Sequence, residues 1–399
     1  MKMSTKDINE ILIKLQGEIF AQNYNTTEGI LQVMIELIMK KERNYFLSNQ
    51  SNNKGNGFYK RFLKTLQGKI QIKVPRDRNN LFNPFILEIM KKEEKQYCEL
   101  IKELYFKGMT HKEIQWLIKK IYGDNVSSWY ISHMTNKLYK DFKVWQKRKL
   151  KDEYSILQID TIYQKIKRWN KYESEGFTAI LWVKYDWTRE ILGIYSTPVE
   201  SIEWWKDILL NLKERWLKSP LLIISDWIKY FENKVEEVYP KARFQKCIVH
   251  KKRNILNRVR SSDKEEIAID LKNVFKIKDI NDNKQKAINR LEDFIKKRWK
   301  KYPFIKNSFN KNETIYYFTY LEFPYKIRSK IYTTNWLERF NKSVRKKFKI
   351  RDSLPNEKAA MKLIYFTILE QNKWVYNYSI GVLKDARYEL EQMLEKIYK

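Results

Sequence analysis

The sequence predicts an α/β protein. A mixed sheet forms a core, an all-helical insertion interrupts that core, and a mainly helical region with a helix-turn-helix precedes it. Three observations lead there. Five short apolar or alternating stretches fall between residues 154 and 249. A charged stretch of roughly eighty residues, far longer than a simple crossover needs, separates them from a strongly amphipathic helix at 335–348. The first 150 residues carry helical periodicity, broken by a single strand pair.

Composition narrows the class. With 43% hydrophobic and 32% charged residues in 399, the chain is globular and long enough for about two or three domains. Its 80 Lys+Arg against 48 Asp+Glu leave a formal charge of +32, spread along the whole length, so a large polyanion is the natural partner. A membrane surface competes poorly, because there is no run of eighteen apolar residues and no lipidation signal. Residues 1–16 are polar and amphipathic, without the apolar segment of a secretion signal. Two cysteines cannot form a disulfide framework, which suits a reducing cytosol.

Residues 5–48 read as two helices, with inner positions Ile8, Ile11, Leu12 and Leu15, then Ile30, Met34, Leu37 and Ile38. A polar linker at 48–56 leads to strands at 58–66 and 69–74, joined at Gln67 and Gly68, with Ile70, Ile72 and Val74 alternating. Helices follow from Glu93. Thr110 and Glu113 have capping-box spacing, Ile114, Leu117, Ile118 and Ile121 make an inner face, and Gly123, Asp124 and Asn125 form a turn. Ser127 caps the next helix, which runs to about Phe142. Helix, short turn, helix in a basic chain fits a DNA reader, with 128–140 as recognition helix and Ser128, Tyr130 and Lys137 reaching DNA. An ordinary helical hairpin has the same pattern.

Further on, 154–160 is a strand ending in Asp160, and 177–185 and 191–196 complete an antiparallel meander around Asp186, Trp187 and Thr188. A helix at 201–216 precedes the buried strand 221–225, which ends in Asp226. A helix through Tyr239 and a fifth strand at 242–249 follow. Meander, helix, strand, helix, strand is the order of a ribonuclease H-like sheet. The expected divisions are 1–54 (N-terminal helices), 55–150 (DNA-binding region), 151–254 (first part of the core), 255–330 (helical insertion), 331–376 (second part of the core) and 377–399 (an appended helix).

In the helix after the insertion, Asn335 and Glu338 have capping-box spacing, and Trp336, Phe340 and Val344 form a buried stripe. Glu338, Asn341 and Arg345 share another face, among the cations Arg339, Lys342, Lys346 and Lys347. Those cations suit a DNA backbone, or simply a solvated face. Asp160, Asp226 and Glu338 are candidate ligands for a pair of Mg²⁺ or Mn²⁺ ions, since strand ends in an α/β sheet bind ligands and three converging carboxylates need cations between them. Such a pair activates a water or a 3′-hydroxyl and stabilises the leaving oxygen of a phosphoryl transfer. Each acid also has a plainer use, as a helix cap or a turn residue. A zinc site needs four ligands, and His111, His133 and Cys98 lie in the helical region. Cys247 therefore reads as a small buried residue ending the fifth strand. His250 reads as a donor to phosphate or a proton shuttle.

These residues fall in segments that resemble Mutator-type DDE transposases of prokaryotic insertion sequences, from about residue 57 to 369. The matching segments include Leu66-Gln67-Gly68-Lys69-Ile70 through Arg78, Tyr105-Phe106-Lys107-Gly108-Met109-Thr110, Ile159-Asp160-Thr161, Ser225-Asp226, Gln245 to Lys251, and Thr333-Thr334-Asn335-Trp336-Leu337-Glu338-Arg339. Pro355-Asn356-Glu357 with Ala359-Ala360 extends the match. The resemblance implies that Asp160, Asp226 and Glu338 are a catalytic triad and that Cys247 and His250 fill a Cys-x-x-His signature. It implies binding to the terminal inverted repeats of an element, followed by Mg²⁺-dependent cleavage and strand transfer. The expected partners are double-stranded DNA at element ends and target, and further copies of the chain in a homodimer or higher oligomer. Thr161 and Trp227 stand where the family usually has glycine. Two other functions fit the same residues: a ribonuclease H-like nuclease that cuts without joining, and a transposase-derived DNA-binding protein without activity.

Overall fold

The computed structural model describes residues 26–398 apart from 66–67, 151–153, 185, 198–200, 227–229 and 352, together with residues 9, 12–14, 16 and 17. Much of the first expected helix (Ile8, Ile11, Leu15), together with Gln67, Tyr185 and Trp227, thus lies outside the described residues. The chain divides into two compact units, Met1–Lys137 and Leu138–Lys399.

In the first unit, Thr26 caps α1 (Thr27–Ser48) by accepting from the Gly29 amide at 3.2 Å. Strands β1 (Gly55–Thr65) and β2 (Gly68–Asp77) pair antiparallel. The alternation in β2 puts Ile70, Ile72 and Val74 on one face, packed with Leu63 against Ile35 and Met39 of α1 and Leu87 and Met90 of α2 (Phe85–Phe106). Helix α3 (His111–Tyr122) starts with the expected capping box, Glu113 amide to Thr110 Oγ1 at 3.3 Å and Thr110 amide to Glu113 Oε2 at 2.6 Å. It stops at Gly123, whose φ of 67° suits a residue without Cβ. Ile114 and Ile118 are buried, but Ile121 is 58% exposed, so the inner face ends a turn earlier than its spacing predicts. Ser127 caps α4 (Ser128–Gln146) through the Tyr130 amide at 3.1 Å, and α4 runs past the division between the units.

The second unit is built on one five-stranded sheet, ordered β5-β4-β3-β6-β7. Strands β3 (Tyr154–Arg168), β4 (Lys171–Lys184) and β5 (Arg189–Thr197) form the antiparallel meander. After α5 (Ile202–Glu214), β6 (Leu222–Ser225) joins β3 in parallel. After α6 (Phe231–Val238), β7 (Arg243–Lys246) joins β6, also in parallel. Trp182, Trp205, Leu209, Ile223 and Phe231 centre the core between sheet and helices.

Three boundaries differ from expectation. β3 does not end at Asp160; it continues paired with β4 to Arg168, burying Ile162 and Ile166 on one side. β7 stops at Lys246, and Cys247 stands at the N-cap of α7 (Ile248–Leu256), so His250 is helical. α6 begins at Phe231, which leaves Asp226 too far upstream to cap it.

The stretch that follows is helical: α8 (Lys264–Val274), α9 (Lys284–Arg298), α10 (Pro303–Ser308), α11 (Lys311–Thr314) and α12 (Tyr325–Ile331). Helix α13 (Asn335–Lys349) then returns to pack on β3 and β4 with Trp336, Phe340 and Val344 buried. It is followed by α14 (Glu357–Gln371), α15 (Gly381–Lys384) and α16 (Arg387–Tyr398).

One buried side chain fixes α13 against the sheet. Gln158 of β3 donates through Nε2 to the Thr333 carbonyl at 3.1 Å and accepts from the Leu337 amide through Oε1 at 3.1 Å. It thereby satisfies one of the first amides of α13, which have no partner within the helix. Gln158→Leu strands both backbone groups in a dry interface, so it should lower stability in urea by about 3 kcal/mol. Amide exchange should accelerate first at Leu337. Unchanged stability and exchange would show that the clasp is dispensable.

Candidate active site

Two adjacent parallel strands set up the site. The β3–β6 ladder ends at Ile159↔Ser225, so Asp160 and Asp226 are the next residue on each chain. Neighbouring strands lie about 4.8 Å apart, which brings the two carboxyls together whatever the loops do. Asp160 is buried, and both its oxygens are held: Oδ1 accepts from the Thr161 amide at 3.0 Å and Oδ2 from Asn341 Nδ2 at 2.7 Å. Burial raises its pKa to about 6, even though the charge of His250 and the bond from Asn341 oppose that rise.

Glu338 does not cap its helix. α13 starts one residue earlier than its spacing suggested, with Thr334 at the N-cap accepting through its carbonyl from the Glu338 amide at 2.8 Å. That frees the Glu338 carboxylate, which lies with Oε1 3.5 Å from His250 Nε2. His250 Nδ1 lies 3.6 Å from Asp226 Oδ1. Burial disfavours the charged ring, but Cys247, Asp226 and Asp160 outweigh it and raise the pKa to about 9. The imidazole, flanked by Asp226 and Glu338, therefore holds its proton more readily than a free ring does while no metal competes for it.

The donor set suits a divalent ion. Ligand atoms of Asp160, Asp226 and His250 lie within 4.8 Å of one another, and so do those of Cys247, His250 and Glu338. Among the described residues, His250 Nδ1 and Glu338 Oε1 are buried without a hydrogen-bond partner, an arrangement that ordinarily calls for an ion or a water. The acidic oxygens are the hard donors that magnesium-like ions prefer. Cys247 is buried with its thiol against Thr333 Oγ1 at 3.4 Å and Thr334 Oγ1 at 3.8 Å. Burial would raise that thiol; His250, by hydrogen bond and charge, and Thr333 hold it below its ordinary value.

The remaining sequence candidates fall in different places. Arg339, Lys342, Arg345 and Lys346 are exposed along α13, and the Arg345 charge reaches Asp160. Lys347 is not an outward cation: it is buried against Glu370 of α14 and lies 4.6 Å from the Phe366 ring. In the first unit Ser128 and Lys137 are exposed, whereas the Tyr130 hydroxyl lies 3.3 Å from Cys98 Sγ in a half-buried contact. Thr161 turns its hydroxyl to Thr178 of β4 at 2.8 Å.

Sequence reasoning missed three residues. Gln158 positions α13, and Asn341, noted only for its face, fixes Asp160. Trp129 on α4 is 71% exposed and stacks on His133 at 5.1 Å between centroids. The signal for Gln158 was a lone amide in an apolar strand, two residues from Asp160 and thus on the same face.

Comparison with known proteins converges on one family. A family model described as "Transposase, Mutator family" matches residues 4–377. The chain is 32% identical over 309 residues to the transposase for insertion sequence element IS1201 of Lactobacillus helveticus, covering 77% of this chain and 82% of that protein. It is 28% identical to the transposase for element IS905 of Lactococcus lactis, over 90% of this chain and 91% of that one. It is 26% identical to the transposase for IS256 in transposon Tn4001 of Staphylococcus aureus, over 88% and 92%. Among the described residues no helix is long and apolar enough to cross a membrane. Matched by the family model over nearly its whole length and 32% identical to one member over 77% of it, the chain belongs to the Mutator family of transposases.

Proposed function

We propose that this chain binds the terminal inverted repeats of an insertion sequence and cuts and joins DNA strands with Mg²⁺ or Mn²⁺. The supporting observation is the gathering of Asp160, Asp226 and Glu338 around one imidazole, with a buried ring nitrogen and a buried carboxylate oxygen that have no partner among the described residues. Those three acids would hold a pair of ions, which supplies an activated water or 3′-hydroxyl and a stabilised leaving oxygen. The chain's own residues prepare the site. Asn341 and the Thr161 amide fix the Asp160 carboxyl, and Gln158 fixes the helix that carries Glu338. His250 sits where it can donate to a phosphate oxygen or carry a proton. In this reading β3–β7 and α13 form a ribonuclease H-like core, and residues 255–330 are its insertion. Residues 1–150 recognise element ends through α3 and α4, with Ser128, Trp129 and Lys137 exposed on the reading helix. The chain acts on DNA as a homodimer or higher oligomer.

The direct test is incubation with DNA carrying the element's ends and Mg²⁺, read for both cut and joined products. Asp160→Asn, Asp226→Asn and Glu338→Gln should each reduce cleavage by at least about a thousandfold while end binding stays intact. A variant that cuts normally removes its residue from the site. Cutting without joining would favour a nuclease.

Two further outcomes concern binding. Deleting residues 1–150 should abolish preference for end DNA over random DNA; retained preference would move recognition into the second unit. Arg345→Ala should lower the slope of log affinity against log salt by about 0.9, the share of one phosphate contact, on end and random DNA alike. It should also slow cleavage, because Arg345 lies close enough to Asp160 to act on its charge. An unchanged slope would make α13 a solvated face.

A further inference from the structure

A basic cleft of about 250 Å³ opens in the helical stretch, lined by Lys251, Asn254 and Arg258 on one side and Phe304, Asn307 and Ser308 on the other. Lys251, Asn254 and Arg258 recur at i, i+3 and i+7, on one face of α7 and the turn after it. Asn254 lies four residues beyond His250 on the same helix, which puts their Cβ atoms about 5–6 Å apart on one face. Among the described residues no carboxylate lines it. The Arg258 guanidinium lies over the Phe304 ring at 4.3 Å from its centroid, and the Lys251 ammonium is held by the Ser308 carbonyl. The side-chain amides of Asn254 and Asn307 have no partner among the described residues. The volume falls below the roughly 300 Å³ at which pockets for drug-sized ligands begin, which leaves room for a single base with its sugar and phosphate outside.

We propose that this cleft receives one unstacked nucleotide of the bound DNA, next to the phosphate presented to the acid cluster. The Arg258 guanidinium, itself lying over the Phe304 ring, offers a planar face on which every base can stack. Asn254 and Asn307 supply paired donors and acceptors for the edge exposed by unpairing, and the Arg258 charge favours the attached phosphate. The proposal rests on the DNA-cutting reading for its placement, but its occupant is read independently of cutting.

The experiment uses the full-length protein and end duplexes carrying 2-aminopurine at each position flanking the cut, with Ca²⁺ in place of Mg²⁺ during binding. Fluorescence should rise several-fold at one position with the unaltered protein. The double variant Asn254→Ala/Asn307→Ala should lose most of that rise while binding the ends within about threefold of normal. With Mg²⁺ the double variant should cut paired ends about tenfold more slowly, and a mispair at the bright position should restore most of the rate, because the cost of unpairing is removed. A merely structural lesion would slow both substrates alike. No bright position on DNA that is bound and cut overturns the cleft proposal and leaves the cutting reading intact. Brightening without cutting by the unaltered protein supports the cleft and sinks the cutting reading.

Discussion

The site depends on a short row of hydrogen bonds between β3 and α13. Gln158 ties the first turn of the helix to the strand, and Asn341, one turn further on, ties the helix to Asp160. The two strand residues are two apart and the two helix residues four apart, so the strand period of two meets the helix period near four on one shared face. Glu338 lies between the two ties. Nothing in local chain geometry brings residues 158 and 337 together, since the helical stretch intervenes. The clasp converts that long connection into a defined position for the third acid. The supporting bonds are buried, where loss of either partner costs most.

Charge balance explains why such a cluster is tolerated in the folded chain. Asp160 is buried among apolar strand residues, and burial alone pushes its carboxyl toward the neutral form. His250 supplies the compensating cation, raised in turn by the acids and thiol around it. The wider protein is strongly positive, which favours approach of a polyanion but does nothing specific for three acids in one pocket. The local imidazolium and the fixed amide of Asn341 do that work. The acid cluster thus sits inside a basic surface, an arrangement suited to a phosphate backbone above and hard cations between.

Much of this was legible in the sequence, and the exceptions have physical causes. The apolar run before Asp226 announced a strand buried on both faces, and the acid after it announced a strand end. Asp160 was found for the same reason, but its strand runs on because Ile162 and Ile166 continue the buried face while Tyr163 and Lys165 face outward, a weaker pattern than a solid apolar run. Glu338 was found with the wrong local partner: spacing suggested a cap from Asn335, yet the helix starts a residue earlier and leaves the carboxylate free. Lys347 could not be told from its neighbours by charge, since its partner Glu370 comes from the next helix. Gln158 shared a strand face with Asp160, but nothing in the sequence named the helix its amide would hold. A single polar residue inside an apolar strand shows its purpose only when the element it clasps is known.

We propose that Asp160, Asp226 and Glu338 together seat divalent cations beside His250. Titration of the metal-free protein with Mn²⁺, followed by electron paramagnetic resonance of the free ion, tests it without any need for DNA or turnover. The account predicts saturable uptake of up to about two ions per chain, with Asp160→Asn and Asp226→Asn each losing most of it while remaining folded. Uptake that is absent, or unchanged in both variants, would contradict it.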